Sequence, residues 1–181
     1  FNALTDRLLE TLERRKIPLI EDACESHGAT IRGRKIGTFG AVSNFSFYFA
    51  HHMSTIEGGM VCTHDEEFCE MARMLRSHGM VREAHSSRIR ERFEKKHPDL
   101  NPKFIFAYPS GNFRSTEINA VIGRSQLPCL DENNRRRTRN FSLFIEHLDP
   151  ERFQIDFAMD GSVNYAFVLI LQHPSDRLRD A

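Results

Sequence analysis

The sequence predicts an α/β fold, and three observations carry that prediction. Apolar residues recur at helical spacing in separate stretches, as at Leu4, Leu8, Leu9 and Leu12. Short β-prone runs such as Val42 to Phe49 and Gly59 to Thr63 lie between them. The run Ile17 to Ile20 leads straight into Glu21-Asp22, and open α/β sheets place their chemistry at the carboxyl ends of strands.

The elements follow in order. Asn2 or Thr5 can cap the first helix, which must stop before Pro18. Gly28, Gly33, Gly37 and Gly40 punctuate a loop-rich stretch with room for a small hairpin. A helix is expected over Asp65 to Arg76, capped by Thr63 or His64. Arg82 to Lys103 is charged and poor in apolar residues, so it reads as a solvated helix and loop. Thr116 to Gln126 and Asp131 to Leu148 read as two helices joined near Pro128. On the second, Arg135, Arg136, Arg137 and Arg139 form a basic cluster, read as a solvated face, with a substrate-phosphate contact as the alternative. Phe153 to Ile155 and Tyr165 to Leu171 read as strands, and Pro174 to Ala181 as the start of a helix.

Composition narrows the function classes. The 181 residues carry 25 Lys+Arg against 25 Asp+Glu, and 40% are hydrophobic. This charge balance lacks the basic excess of a nucleic-acid-coating surface. No apolar run approaches the roughly 20 residues of a membrane span. Cys24, Cys62, Cys69 and Cys129 are scattered, without metal-site spacing, and read as reduced thiols of a cytoplasmic protein. The opening Phe1 and the polar closing stretch read as cuts in a longer chain.

Three clusters carry candidate chemistry. In Glu21-Asp22-Ala23-Cys24-Glu25-Ser26-His27-Gly28, a carboxylate is either a loop ligand or the partner of a cationic cofactor nitrogen. In Phe45-Ser46-Phe47-Tyr48-Phe49-Ala50-His51-His52, the tandem histidines are either a surface pair or part of a turn closing over a ligand. Adjacent side chains of an extended segment face opposite ways, which argues against one shared metal ion. In Gly111-Asn112-Phe113-Arg114-Ser115-Thr116, a hydroxyl can cap the next helix, leaving Asn112 and Arg114 near a helix start that favours anions.

Together these strings, with Lys35-Ile36-Gly37-Thr38-Phe39-Gly40 and Asn164-Tyr165-Ala166-Phe167, resemble the DegT–StrS family. Its members are fold-type I, pyridoxal-phosphate-dependent enzymes acting on nucleotide-linked keto sugars. The resemblance implies a mixed, mostly parallel sheet flanked by helices. It places part of the cofactor-binding large domain at 1–148 and the start of a small C-terminal domain at 149–181. Family members are about twice this length, so the chain reads as a central portion.

Position by position, the resemblance implies that Asp22 pairs with the protonated pyridine nitrogen and that Glu25 lies near the ring. It implies that Ser46 donates to the cofactor phosphate. Asn112 would reach the phosphate held by a partner subunit, in a homodimer with shared active sites. His51 stands where family aminotransferases carry the lysine that bonds to the cofactor aldehyde. Imidazole forms no stable Schiff base, but it moves protons near neutral pH. A His at this position marks the family's sugar 3-dehydratase branch. The implied reaction takes pyridoxamine 5'-phosphate and a GDP- or CDP-linked 4-keto-6-deoxy sugar to a 3,6-dideoxy-4-keto sugar. Glutamate would restore the cofactor amine. Nothing resembles the cysteine set of an iron–sulfur cluster, which favours this self-contained route. An aminotransferase, and a non-catalytic binding protein, are the alternatives.

Overall fold

The computed structural model describes residues 3–173. Pro174 to Ala181, expected to begin a helix, lie outside the described residues.

Helix α1 (Asp6–Arg15) starts where Thr5 Oγ1 accepts the Leu8 N–H at 3.2 Å. It ends at Lys16, whose left-handed backbone (φ 53°) sends its N–H back to Glu13 and Leu12 carbonyls. Strand β1 (Ile20–Asp22) begins later than the apolar run from Ile17 suggested. Pro18 has no N–H to give a ladder, and the chain is still leaving the helix there. The strand instead takes in Glu21 and Asp22, so both acids belong to the sheet.

Strands β2 (Thr30–Ile31) and β3 (Arg34–Lys35) form the expected hairpin. Its two turn residues, Arg32 and Gly33, both have positive φ, as the tight hairpin turn requires. Strand β4 (Val42–Ser46) pairs in parallel with β1, placing Asp22 beside Asn44. Strand β5 (Gly59–Thr63) runs antiparallel to β4, with Ser46 opposite Gly59. The sheet order β1-β4-β5 is therefore mixed.

Helix α2 (Glu66–Arg76) is capped by Asp65, not by Thr63 or His64. Asp65 Oδ1 accepts the Phe68 N–H at 2.9 Å, while Thr63 Oγ1 accepts the Asp65 N–H at 3.1 Å. Helix α3 (Ser87–Lys96) occupies the charged segment and buries none of its residues fully. Helix α4 (Glu117–Gln126) opens on a capping box between Thr116 and Asn119. Helix α5 (Leu130–Glu146) follows a short turn through Pro128 and buries Asn134 and Phe141. Arg135 and Arg136 pair with the exposed Glu132 on its surface, as expected of a solvated face.

Two small cores result. Ala23, Ala29 and Ile36 pack with Phe39, Phe45 and Val163, directly beneath the ends of β1 and β4. Met74, Val81, Ala84 and Ile105 pack with Phe93 and Tyr108.

The expected strands at Phe153 to Ile155 and Tyr165 to Leu171 do not form. A single bridge joins Phe153 to Leu171, flanked by Gln154 N–H to the Ile170 carbonyl at 2.8 Å. β-Prone residues become a strand only beside a partner, and Phe167 to Ile170 here have none longer than that bridge. Phe167 instead packs on Phe141 and Phe144 of α5, with ring centroids at 5.9 and 5.0 Å.

Candidate active site

Adjacent residues of a strand face opposite ways, and β1 uses this to divide its two acids. Glu21 is buried beneath the Gly37–Gly40 loop. Its Oε2 accepts the Gly37 N–H, and its Oε1 accepts those of Phe39 and Gly40, all at 2.6 Å. Glu21 is the loop ligand of the pair. Asp22 is exposed on the other side, and its Oδ1 accepts the Cys24 N–H at 3.2 Å and Asn44 Nδ2 at 3.0 Å. The Cys24 thiol and N–H, followed by Asn44 and the nearby His51, hold its carboxyl below the usual carboxylate range. Partial burial, followed by the same Asp22 contact, pushes the Cys24 thiol up to about 11.

At the end of β4, Ser46 Oγ accepts the Tyr48 N–H at 3.2 Å. The chain then loops back, with Thr55 N–H to the Phe47 carbonyl and Phe47 N–H to the Gly58 carbonyl, both at 2.9 Å. Helix α4 pins this loop from outside. Asn119 Nδ2 donates to the Thr55 and Glu57 carbonyls at 2.8 and 3.1 Å, and Gln126 accepts the Ser54 N–H at 2.8 Å.

The tandem histidines point apart. His51 is half-buried between the rings of Tyr48 and Tyr165, at 5.6 and 5.3 Å. Its Nδ1 is buried with no hydrogen-bond partner among the described residues. His52 is buried, and its Nε2 donates to the Val163 carbonyl at 2.9 Å. Burial keeps the His52 imidazole below its usual range.

A cavity of about 660 Å³, ordinary for a small-molecule site, opens at these strand ends. Asp22, Glu25, Ser46 and His51 all border it. Asn112 does not. It sits opposite Ser77, with its Oδ1 accepting from the Arg114 backbone N–H and Nε at 3.2 and 3.1 Å. Among the described residues, which include all five lysines, no lysine borders the cavity. Lys35 instead reaches the Gly28 carbonyl at 3.3 Å.

Sequence reading missed part of the lining. Ser162, Val163, Asn164 and Tyr165 form a strap along the cavity. The string Asn164-Tyr165-Ala166-Phe167 was visible, but without a role. Gly161 ties the strap to the hairpin, accepting the Thr30 N–H at 2.9 Å. Its φ of +67° and a Thr30 carbonyl only 2.0 Å from any added Cβ require glycine there.

His27 was also missed as a buried group. It is 5% exposed, packed on Phe45, Phe47 and His52, with neither ring nitrogen hydrogen-bonded. Burial, reinforced by His52 and His51, lowers it from 6.5 to about 4. The folded chain therefore binds fewer protons than the unfolded chain between those values, and stability rises with pH across that window. Acidification from pH 7 to pH 4 should cost on the order of 3 kcal/mol from this group. His27→Leu, with nothing to protonate, should shrink this acid limb in urea titrations at several pH values. An unchanged limb would contradict the assignment.

Residues 4–181 match the model of the DegT/DnrJ/EryC1/StrS aminotransferase family. The chain belongs to this family. One relative in the DegT/DnrJ/EryC1/StrS group is the GDP-4-keto-6-deoxy-D-mannose 3-dehydratase of Yersinia pseudotuberculosis. It is 32% identical over 173 residues, covering 94% of this chain and 43% of the relative. The L-glutamine:2-deoxy-scyllo-inosose aminotransferase of Micromonospora echinospora is 32% identical over 162 residues, covering 90% and 37%. The E. coli GDP-4-keto-6-deoxy-D-mannose-3-dehydratase, solved with bound hydrated PLP, superposes with a TM-score of 0.76. That match has 29% identity and covers 96% of this chain and 45% of that one. The chain thus spans less than half the length of these relatives, and its mixed sheet with flanking helices is the fold-type I architecture.

Proposed function

We propose that the whole protein carrying this chain removes the C3 hydroxyl of a nucleotide-linked 4-keto-6-deoxy sugar, using pyridoxamine 5'-phosphate and pyridoxal 5'-phosphate. One observation carries the reading: the His51 imidazole borders the cavity and, among the described residues, no lysine does. A lysine would bond to the cofactor aldehyde and retain nitrogen on the sugar. An imidazole leaves acid–base chemistry as the contribution.

The residues present fit the cofactor. An ionised carboxylate at the end of β1 suits a cationic ring nitrogen, and a strand-end hydroxyl suits a phosphate oxygen. Bound there, the cofactor supplies an amine for the 4-keto group and a ring that takes up carbanion charge. Asp22 would keep the ring nitrogen protonated, Ser46 Oγ would donate to the phosphate, and Glu25 would lie near the ring. His51 Nε2 accepts a proton on the cavity side and returns it to the departing C3 hydroxyl. Asn112, outside this cavity, would serve the phosphate of a partner subunit in a homodimer. In this reading 1–148 belongs to the cofactor-binding domain and 149–181 opens a smaller one, in a cytoplasmic enzyme. The names of the dehydratase relatives favour a GDP-linked substrate over a CDP-linked one, and glutamate is the proposed amino donor.

The test uses the whole protein with pyridoxamine phosphate, glutamate and GDP-4-keto-6-deoxymannose. A product lighter than substrate by one oxygen supports the dehydratase. An amino sugar would make the protein an aminotransferase and overturn the reading.

A further inference from the structure

Histidines that move protons are commonly held in direction by a hydrogen bond at the second ring nitrogen. Among the described residues His51 has no such bond, because its buried Nδ1 meets no partner. The direction of Nε2 must come from ring packing instead, and the packing is supplied by Tyr48 and Tyr165. Tyr48 lies three residues away on the same loop. Tyr165 lies on the strap, far along the chain, and something must keep the strap in place.

Thr30 N–H and Thr138 Oγ1 hold its start, at the Gly161 and Ser162 carbonyls (2.9 and 3.3 Å), and two further hydrogen bonds hold it beside Tyr165. His52 Nε2 donates to the Val163 carbonyl at 2.9 Å, and Arg137 Nη1 donates to the Tyr165 carbonyl at 3.1 Å. The first links residues 111 positions apart in sequence. It also joins the strap directly to the neighbour of His51. The His52 ring lies 5.9 Å from the Tyr165 ring, so one imidazole holds both the backbone and the ring that packs on His51. Between the two bonds, Asn164 is buried at a φ of +26°, a kinked backbone that must be held from both sides.

We propose that His52 is a positioning residue for His51: its hydrogen bond to Val163 seats Tyr165 against the His51 ring and thereby aims His51 Nε2 into the cavity. The inference rests on the reading of His51 as the proton-moving group. It adds that the tandem of histidines is one device, with the first ring exchanging protons and the second fixing its direction.

The test uses the whole protein and four variants. His52→Phe keeps a ring but removes the donor, and should lower kcat about 10- to 100-fold with KM little changed, the scale set by misplacing a reacting group. His52→Gln restores an N–H donor and should recover most of the rate. Tyr165→Ala should reproduce the defect with the His52 bond intact, whereas Tyr165→Phe should not.

A second readout needs no turnover. In the cofactor-free protein the His51 Cε1–H resonance, assigned by its loss in His51→Asn, carries the ring-current shift of Tyr165. That shift should vanish in His52→Phe and Tyr165→Ala and persist in His52→Gln and Tyr165→Phe. An unmoved resonance and an unchanged kcat in His52→Phe would overturn the proposal. If the resonance moves as described while the natural protein performs no dehydration, the positioning role stands and the reading of the reaction falls.

Discussion

Replacing His51 by asparagine is expected to lower the dehydration rate by about 10²- to 10⁴-fold, the usual contribution of a positioned acid–base group. Cofactor binding should change little, because the groups assigned to the ring nitrogen and the phosphate are Asp22 and Ser46. The two effects separate cleanly in one preparation: absorbance reports bound pyridoxamine phosphate, and product mass reports turnover. A variant that loses the cofactor along with the rate would mean that His51 holds the site together. A variant with undiminished rate would assign the proton transfer to another group.

Glu21→Ala should produce the largest loss of stability of any substitution near the site. Three backbone N–H groups converge on this carboxylate at 2.6 Å, and none has another acceptor assigned. Hydrogen bonds to a charged acceptor contribute about 1.5–3 kcal/mol each, although neighbouring bonds do not add fully. A loss of about 4 kcal/mol is expected in chemical denaturation of the whole protein. Glu21→Gln should lose less, about 2 kcal/mol, because one oxygen remains while an NH2 replaces the acceptor of another N–H. Equal losses would show that the charge, rather than the count of acceptors, holds the loop. No loss in either variant would remove Glu21 from its assigned role.

The contrast between Glu21 and Asp22 shows how far the sequence was legible. Two neighbouring acids after an apolar run mark a strand end, yet nothing in their order says which one is buried under the Gly37–Gly40 loop and which is left exposed. That depends on the register of β1 against β4, a contact between residues about twenty positions apart. His51 and His52 pose the same problem and receive the same answer, one ring to the cavity and one to the interior. Local signals were read well. Thr5, one of two candidates with Asn2, and Thr116, one of two with Ser115, cap their helices, and β5 runs from Gly59 to Thr63 as its composition implied. The cap of α2 moved to Asp65 because its carboxylate reaches the Phe68 N–H of the first turn, while the Thr63 hydroxyl reaches only the Asp65 N–H.

Longer-range features were less legible. Phe153 and Tyr165 head β-prone runs, but a strand needs a neighbour that a single stretch of sequence does not name. Tyr165 shows the consequence. Its string was visible as part of the family pattern, while its contact with His51 exists only after the strap folds back over the loop that follows β4. His27 was likewise hidden, since a histidine beside glycine and serine looks exposed until Phe45, Phe47 and His52 close around it.

The central claim is that His51, in a cavity without lysine, directs the chemistry to loss of oxygen rather than gain of nitrogen. A single turnover tests it most directly. The whole protein, loaded with pyridoxamine phosphate and given GDP-4-keto-6-deoxymannose without glutamate, should release ammonium and a 3-deoxy sugar in equal amounts. The cofactor should finish as the aldehyde. An amino sugar with no free ammonium would contradict the claim.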